Sequence, residues 1–318
     1  MSYLEHYGLR YEPFSNAPDS RFFWSGENFE RAAQRLRFAV ESRRGLAVCA
    51  GPMGHGKTTL ARRMYDEMPS KRFAKGLLVV IHSDVTAEWL LRKIAGLLGV
   101  RDVADQKLDV LGQIYTRLRE IDSEGRTAVI LIDEAQMLSR RELMEEFRGL
   151  LNIEIQGRKL INFVFFGLPE LEHTLALDEP LKNRVAVKVN LGAFRLDMTK
   201  RYVAFRLKTA GGNPMLFGPE VLQAIQKFSK GTPRLINTIC DNLLLDGHLS
   251  NTQIFTLEMV EQIADDLGLT ERDAMAFLDT LLGTDPSKTL VNQNGKVETD
   301  WDVLAKGSLD EILTFLDK

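Results

Sequence analysis

The stretch GPMGHGKTTL, Gly51 to Leu60, limits what this chain can become more than any other. It sets Gly51, Gly54 and Gly56 within six residues and follows them at once with Lys57, Thr58 and Thr59. Glycines let a backbone wrap closely around an anion, with successive N–H groups pointing inward. Gly51-x-x-x-x-Gly56-Lys57-Thr58 is the spacing of a phosphate-binding loop. Gly51, Pro52, Met53, Gly54, His55, Gly56, Lys57, Thr58 and Thr59 are therefore expected to form the cradle, with Lys57 reaching the β- and γ-phosphates and Thr58 offering a hydroxyl to Mg²⁺. Nothing in that chemistry demands the side chains of Met53 or His55. The flanks agree with it. An apolar run, GLAVCA, ends at Ala50, and TTLARRMYDEM has helical periodicity, so a helix N-terminus adds its positive end to the cradle.

A loop of this kind needs carboxylates for its metal, and AVILIDEAQ supplies two at the end of an apolar run. Asp133 is expected to order the Mg²⁺ shell, and Glu134 to polarise an attacking water, which points to hydrolysis as well as binding. Two arginines fit the same chemistry. Arg184 lies in EPLKNRVAV before an apolar run, and Arg234 lies in KGTPRLI at a helix start. A guanidinium brought to the γ-phosphate accelerates its transfer by about 10³–10⁵. Arg234 on a separate domain would couple nucleotide state to domain angle, and Arg184, pointing outward, would reach a neighbouring subunit.

Five short apolar runs, at 45–50, 76–82, 128–133, 161–167 and 185–191, alternate with segments of helical period. The first four are almost continuously apolar, the mark of strands covered on both faces in a parallel sheet. Residues 28–212 thus read as an α/β nucleotide-binding core, after a leader at 1–27. The breaker cluster TAGGNPMLFGPE introduces helix-like segments only, a small helical lid at 213–268. The remainder, 269–318, carries ten acidic and five basic residues against a net charge of -3 for the chain, so it reads as an acidic tail. Its SLDEILTFLDK has a capping box, Ser308 with Glu311, and an apolar face of Leu309, Ile312, Leu313 and Leu316 that must dock on something. Trp301 is a candidate anchor. Cys49 and Cys240, each inside an apolar run, are expected to be buried and free, which suits a reducing compartment. No apolar run approaches the ~20 residues of a membrane span, and the first residues lack a secretory leader's layout, so a cytoplasmic location is expected.

Taken together, the loop at 51–59, Asp133–Glu134, the arginine before the fifth strand and GTPR in a helical lid resemble the AAA+ ATPases. More narrowly, YGLRYEPFSNAPDSRFFW, LLNIE, FGLPEL, PLKNRV and GTPRLINTICDNLLL resemble the general secretion pathway protein A (ExeA-type) ATPase family, over about 3–268. The resemblance implies a five-stranded parallel sheet of order 51432 with a helical lid, Arg184 as an arginine finger, Arg234 as a sensor on the nucleotide, and Pro13, Phe14 and Phe22 of the leader beside the adenine. Ordinary core packing explains those three equally well. Two departures stand out. The family's Gly-Gln-Pro-Glu-Leu after the fourth strand is here Gly167-Leu168-Pro169, which removes a polar group and points to slow hydrolysis. The secretion proteins also continue into a membrane span and a cell-wall-binding region, whereas here the acidic tail follows the lid.

The expectation is an ATPase that uses ATP and Mg²⁺ and self-associates with nucleotide, a hexamer being one form open to it. It would drive or regulate a secretion, pilus or polysaccharide-export assembly, with the tail recruiting a protein partner, and through it the inner membrane. A DNA-acting ATPase of the transposition-regulator kind, and a low-turnover nucleotide-dependent scaffold, are the alternatives; the net charge of the chain gives DNA no general attraction.

Overall fold

A computed structural model describes residues 2–17 and 19–270, and the backbone of 290–291 and 297–298. The chain divides into two compact units, one ending at Ile263 and the other beginning at Ala264. In the second unit, within the stretch read from sequence as an acidic tail, Leu290–Val291 pairs antiparallel with Val297–Glu298. The expected docking helix at 308–318 and Trp301 lie outside the described residues.

The first unit is built on five parallel strands: β1 (Leu46–Ala50), β2 (Phe73–Val79), β3 (Thr127–Asp133), β4 (Ile161–Gly167) and β5 (Val185–Asn190). Their order is β2-β3-β4-β1-β5, the expected 51432 arrangement read from the other edge. Strand side chains alternate between faces, and here both faces are apolar. Leu46, Val48, Ala128, Ile130, Ile132, Phe163 and Phe165 join one core cluster; Ala47, Cys49, Val129, Leu131, Val164 and Phe166 join another. Helix α1 (Glu27–Glu41) and α2 (Lys57–Glu67) cover the second face, while α3 (Ala87–Leu97), α4 (Lys107–Ser123) and α5 (Arg141–Leu150) cover the first. Such two-sided burial is why β3 and β4 read as unbroken apolar runs.

Strand β2 sits three residues earlier than the run at 76–82 suggested. Its register with β3 pairs Phe73 with Thr127 and Val79 with Asp133, and Ile81, beyond its end, is 81% exposed. As an edge strand it has one less neighbour to bury residues against, so hydropathy misplaced it. Gly76 is where α3 crosses β2: a Cβ there would lie 2.8 Å from Leu97 Cβ and 2.9 Å from Ile130 Cδ1. A two-stranded antiparallel pair, Glu154–Ile155 with Arg158–Lys159, precedes β4 and was not anticipated.

Short helices α6 (Leu171–Ala176) and α7 (Glu179–Lys182) lead to β5, and α8 (Leu196–Thr209) leads away from it. In the stretch expected to be a helical lid, the described residues hold α9 (Pro219–Ser229), α10 (Pro233–Leu249) and α11 (Leu257–Asp266) and no strand. Pro occupies the first turn of α9 and of α10, where its missing N–H costs nothing. The leader is tied to this end of the molecule. The buried Arg206 of α8 donates to the Pro13 carbonyl, to the Ser15 carbonyl at 2.9 Å and to the Tyr202 hydroxyl at 2.7 Å. Cys49 and Cys240 are free and buried, as read from their apolar settings. Among the described residues no helix is long and apolar enough to cross a membrane.

Candidate active site

Strands β1 and β3, both interior to the sheet, carry the two sequence motifs to its C-terminal end. The loop after β1 turns through Gly54 (φ 78°) and Gly56 (φ 89°), a left-handed geometry that glycine adopts without steric cost. Glycine is also required at 51, where a Cβ would lie 2.6 Å from the Leu191 carbonyl oxygen. Lys57 and Thr58 then open α2. Lys57 is buried, and its ammonium donates to the carbonyls of Gly51 at 2.8 Å and Pro52 at 2.9 Å. Burial pulls its pKa below the usual lysine value, and the charges of Glu134, Cys49, Asp133 and Glu170 oppose that. His55 is buried as well, with Nδ1 on the Met53 carbonyl at 3.0 Å, while Met53 is 68% exposed at the tip of the loop.

Asp133, the last residue of β3, is 1% exposed. Burial raises its pKa above the ordinary carboxylate value, while hydrogen bonds from the Thr58 hydroxyl and the Glu134 amide pull the other way. Thr58 at the head of α2 and Asp133 at the end of β3 are thus near enough for the one to act on the other's charge, which brings the two motifs together. Glu134 follows with φ 56°, a left-handed conformation uncommon outside glycine, and such backbone strain gathers at functional sites. Its carboxylate Oε2 accepts from Gln136 Nε2 at 2.7 Å, and Gln136 Oε1 accepts from the Leu168 amide at 3.1 Å. Sequence reasoning noticed the missing polar side chain at 168 but not that Gln136 brings an amide to the same place.

The lid meets the loop through the start of α10. The Arg234 amide donates to the Gly54 carbonyl at 3.3 Å, and a Cβ on Gly54 would lie 3.0 Å from both Arg234 Cβ and Thr232 Cγ2. Arg234 itself is exposed. Arg184 joins a different part of the molecule. It precedes the first residue of β5 and donates to the Arg148 carbonyl at 3.0 Å, beside the Arg148–Asp178 ion pair. Strand β5 runs from Val185, opposite Leu46, to Asn190, opposite Ala50, so Arg184 starts roughly 16 Å from the loop along the strand. Phe14 packs against Phe217 of the lid, and Phe22 lies under the Arg206 guanidinium at 5.0 Å. The aromatic that reaches the loop is Phe29 of α1, 3.2 Å from the position of a Gly56 Cβ, with Phe23 stacked edge-on against it at 5.0 Å.

These residues fit a polyphosphate with a divalent cation. The lysine charge is held by two carbonyls it can exchange for phosphate oxygens, and a hydroxyl and a buried carboxylate already meet where a small hard cation takes oxygen ligands. Burial of Asp133 also costs stability. Its raised pKa means the folded state disfavours the charged form, so at neutral pH the carboxylate destabilises the fold. Asp133→Asn should raise the Tm at pH 7 in the absence of nucleotide. The gain shrinks as the pH falls through the folded-state pKa and vanishes below the unfolded one. A Tm at or below the parent's at pH 7, in the absence of nucleotide, contradicts the assignment.

Residues 40–175 match the family described as AAA domain. General secretion pathway protein A of Aeromonas hydrophila is 30% identical over 248 residues, covering 76% of this chain and 44% of that protein. The chain therefore spans less than half the length of this relative. Among solved structures, the Aeropyrum pernix ORC2 protein in its ADPNP-ADP complexes superposes with a TM-score of 0.57 at 14% identity, over 80% of this chain and 71% of that one. A RuvB variant of Thermotoga maritima gives 0.54 at 17% identity, over 85% and 82%. At such identities these structures attest the fold.

Proposed function

We propose, for a chain that is an AAA+ ATPase related to general secretion pathway protein A, that it hydrolyses ATP with Mg²⁺ and assembles with copies of itself as nucleotide binds. The observation that carries this reading is the buried Lys57 ammonium on the loop carbonyls of Gly51 and Pro52, with the buried Asp133 carboxylate and Glu134 close enough to act on its charge. Loop amides from Gly54 to Thr58 would cradle the phosphates, and Lys57 would leave the carbonyls of Gly51 and Pro52 for the β- and γ-phosphate oxygens. Thr58 and Asp133 would hold Mg²⁺, which when bound offsets charge on those oxygens. Glu134 would accept a proton from the water whose oxygen attacks the γ-phosphorus, as the bond to the β-γ bridging oxygen breaks and ADP leaves. Arg234, on a helix already in contact with Gly54, would report nucleotide state to the lid. Arg184 would serve a neighbour's site, which makes assembly a condition of turnover.

A secretion-pathway relative favours work on a cell-envelope assembly, with the acidic tail as the recruiting segment and a protein at the inner membrane as the partner. Phosphate release by the purified chain with Mg-ATP, together with size exclusion in ATP, in ADP and without nucleotide, tests the core of this reading. Phosphate release and an ATP-dependent shift to larger species are expected. Neither signal at saturating Mg-ATP refutes it. A DNA-acting role would announce itself as ATP-dependent duplex binding that weakens steeply with salt.

A further inference from the structure

We propose that Gln136 is a positioning residue for ATP hydrolysis: its side-chain amide spans from the β4 end to Glu134 and fixes the carboxylate that takes the water's proton. The inference rests on the base assignment made above for Glu134. Gln136 lies in the single 3₁₀ turn Ala135–Met137 that follows β3. Its two amide atoms face groups of opposite chemistry. The Leu168 N–H can only donate, so it requires the amide oxygen, which it meets at 3.1 Å. The other end of the amide is then the NH₂, directed at a carboxylate that can only accept, 2.7 Å away. The orientation of the amide is thus set by its partners, and a reversed one would lose both bonds.

The surroundings are shaped for this group. A Cβ at Gly167 would stand 2.8 Å from Gln136 Oε1, so the end of β4 carries no side chain where the amide passes. The Gln136 backbone is held too, its carbonyl accepting from the Thr174 hydroxyl at 3.4 Å. Glu134 needs such a restraint. Its backbone is in a left-handed conformation, and its side chain has three rotatable bonds, so without a partner the carboxylate would sample several positions. Gln136 occupies Oε2 and leaves Oε1 for water. Leu168 contributes only its main chain; its apolar side chain is no loss to the site, because the polar function arrives from the turn after β3.

The test compares parent, Gln136→Met and Gly167→Ala, each also in a Glu134→Gln background. Methionine keeps the length and volume of glutamine without the amide, and the alanine leaves the amide in place but crowds Oε1. With Mg-ATP, both single variants should lose about ten- to a hundredfold in kcat, since misplacing a reacting group by about 1 Å costs on that order. KM and the affinity for a fluorescent ATP analogue should stay close to the parent's, as should the Tm of Gln136→Met, and in the Glu134→Gln background neither change should lower kcat further. Parent-like kcat in Gln136→Met, or losses that add fully to that of Glu134→Gln, would overturn the proposal while the base assignment stands. Equal turnover by parent and Glu134→Gln would overturn both.

Discussion

Glu134→Gln should lower kcat for ATP by about a hundred- to a thousandfold, with nucleotide affinity held within a few-fold of the parent. The substitution keeps the shape of the side chain and the ability of one oxygen to accept from Gln136, so the local structure that holds residue 134 survives. What it removes is the capacity to take a proton. In free-energy terms the loss is about 2.7–4 kcal/mol of transition-state stabilisation, paid in the chemical step alone. The cradle at 51–58 and the Thr58–Asp133 pair are untouched, so ATP still binds but no longer leaves as ADP. The ATP-bound assembly should therefore persist on size exclusion when parent protein has already returned to its ADP form. Turnover of the variant at the parent rate would withdraw the role of base from Glu134.

How far that site was legible in the sequence follows from the range of the interactions that build it. The cradle reads directly, because its chemistry is carried by backbone and by adjacent residues, Gly51 to Thr59. Asp133 reads almost as well, because a strand buried on both faces has little reason to end in a carboxylate unless the carboxylate is used. Both-face burial likewise made β1, β3 and β4 plain, and left the edge strand β2 displaced. Gln136 was illegible. It follows the carboxylates by only two positions, but its function depends on Leu168 and Gly167, thirty residues on, and no local pattern encodes an amide that spans two strand ends. The leader's contacts were hidden for a similar reason. Phe14, Phe22, Phe23 and Phe29 are equivalent as letters, and only folding sends Phe14 to Phe217, Phe22 to Arg206 and Phe29 to Gly56. Arg184 was singled out by its place before a strand, and its distance from its own loop follows from the register of that strand.

That distance makes the second large prediction specific. Arg184→Ala should cost about 10³-fold or more in kcat while ATP binding is retained, the range expected for removing a guanidinium from a γ-phosphate. Within its own subunit Arg184 is turned to the Arg148 carbonyl, at the opposite end of β5 from the loop, so direct action on a γ-phosphate would be at a neighbour's site. Mixing then separates a shared site from a structural role. In a head-to-tail assembly each interface draws the loop and base from one subunit and the arginine from the next. Arg184→Ala supplies an intact Glu134, and Glu134→Gln supplies an intact Arg184, so each inactive variant holds what the other lacks. With random mixing in equal amounts, about a quarter of the interfaces join a good base to a good arginine, and activity should rise to roughly that fraction of the parent's. An arginine that acted within its own subunit, or that merely braced the end of α5, gives no recovery at any ratio. In the bracing case the Tm of Arg184→Ala would also fall with its activity, whereas an arginine used across the interface leaves the isolated subunit as stable as before.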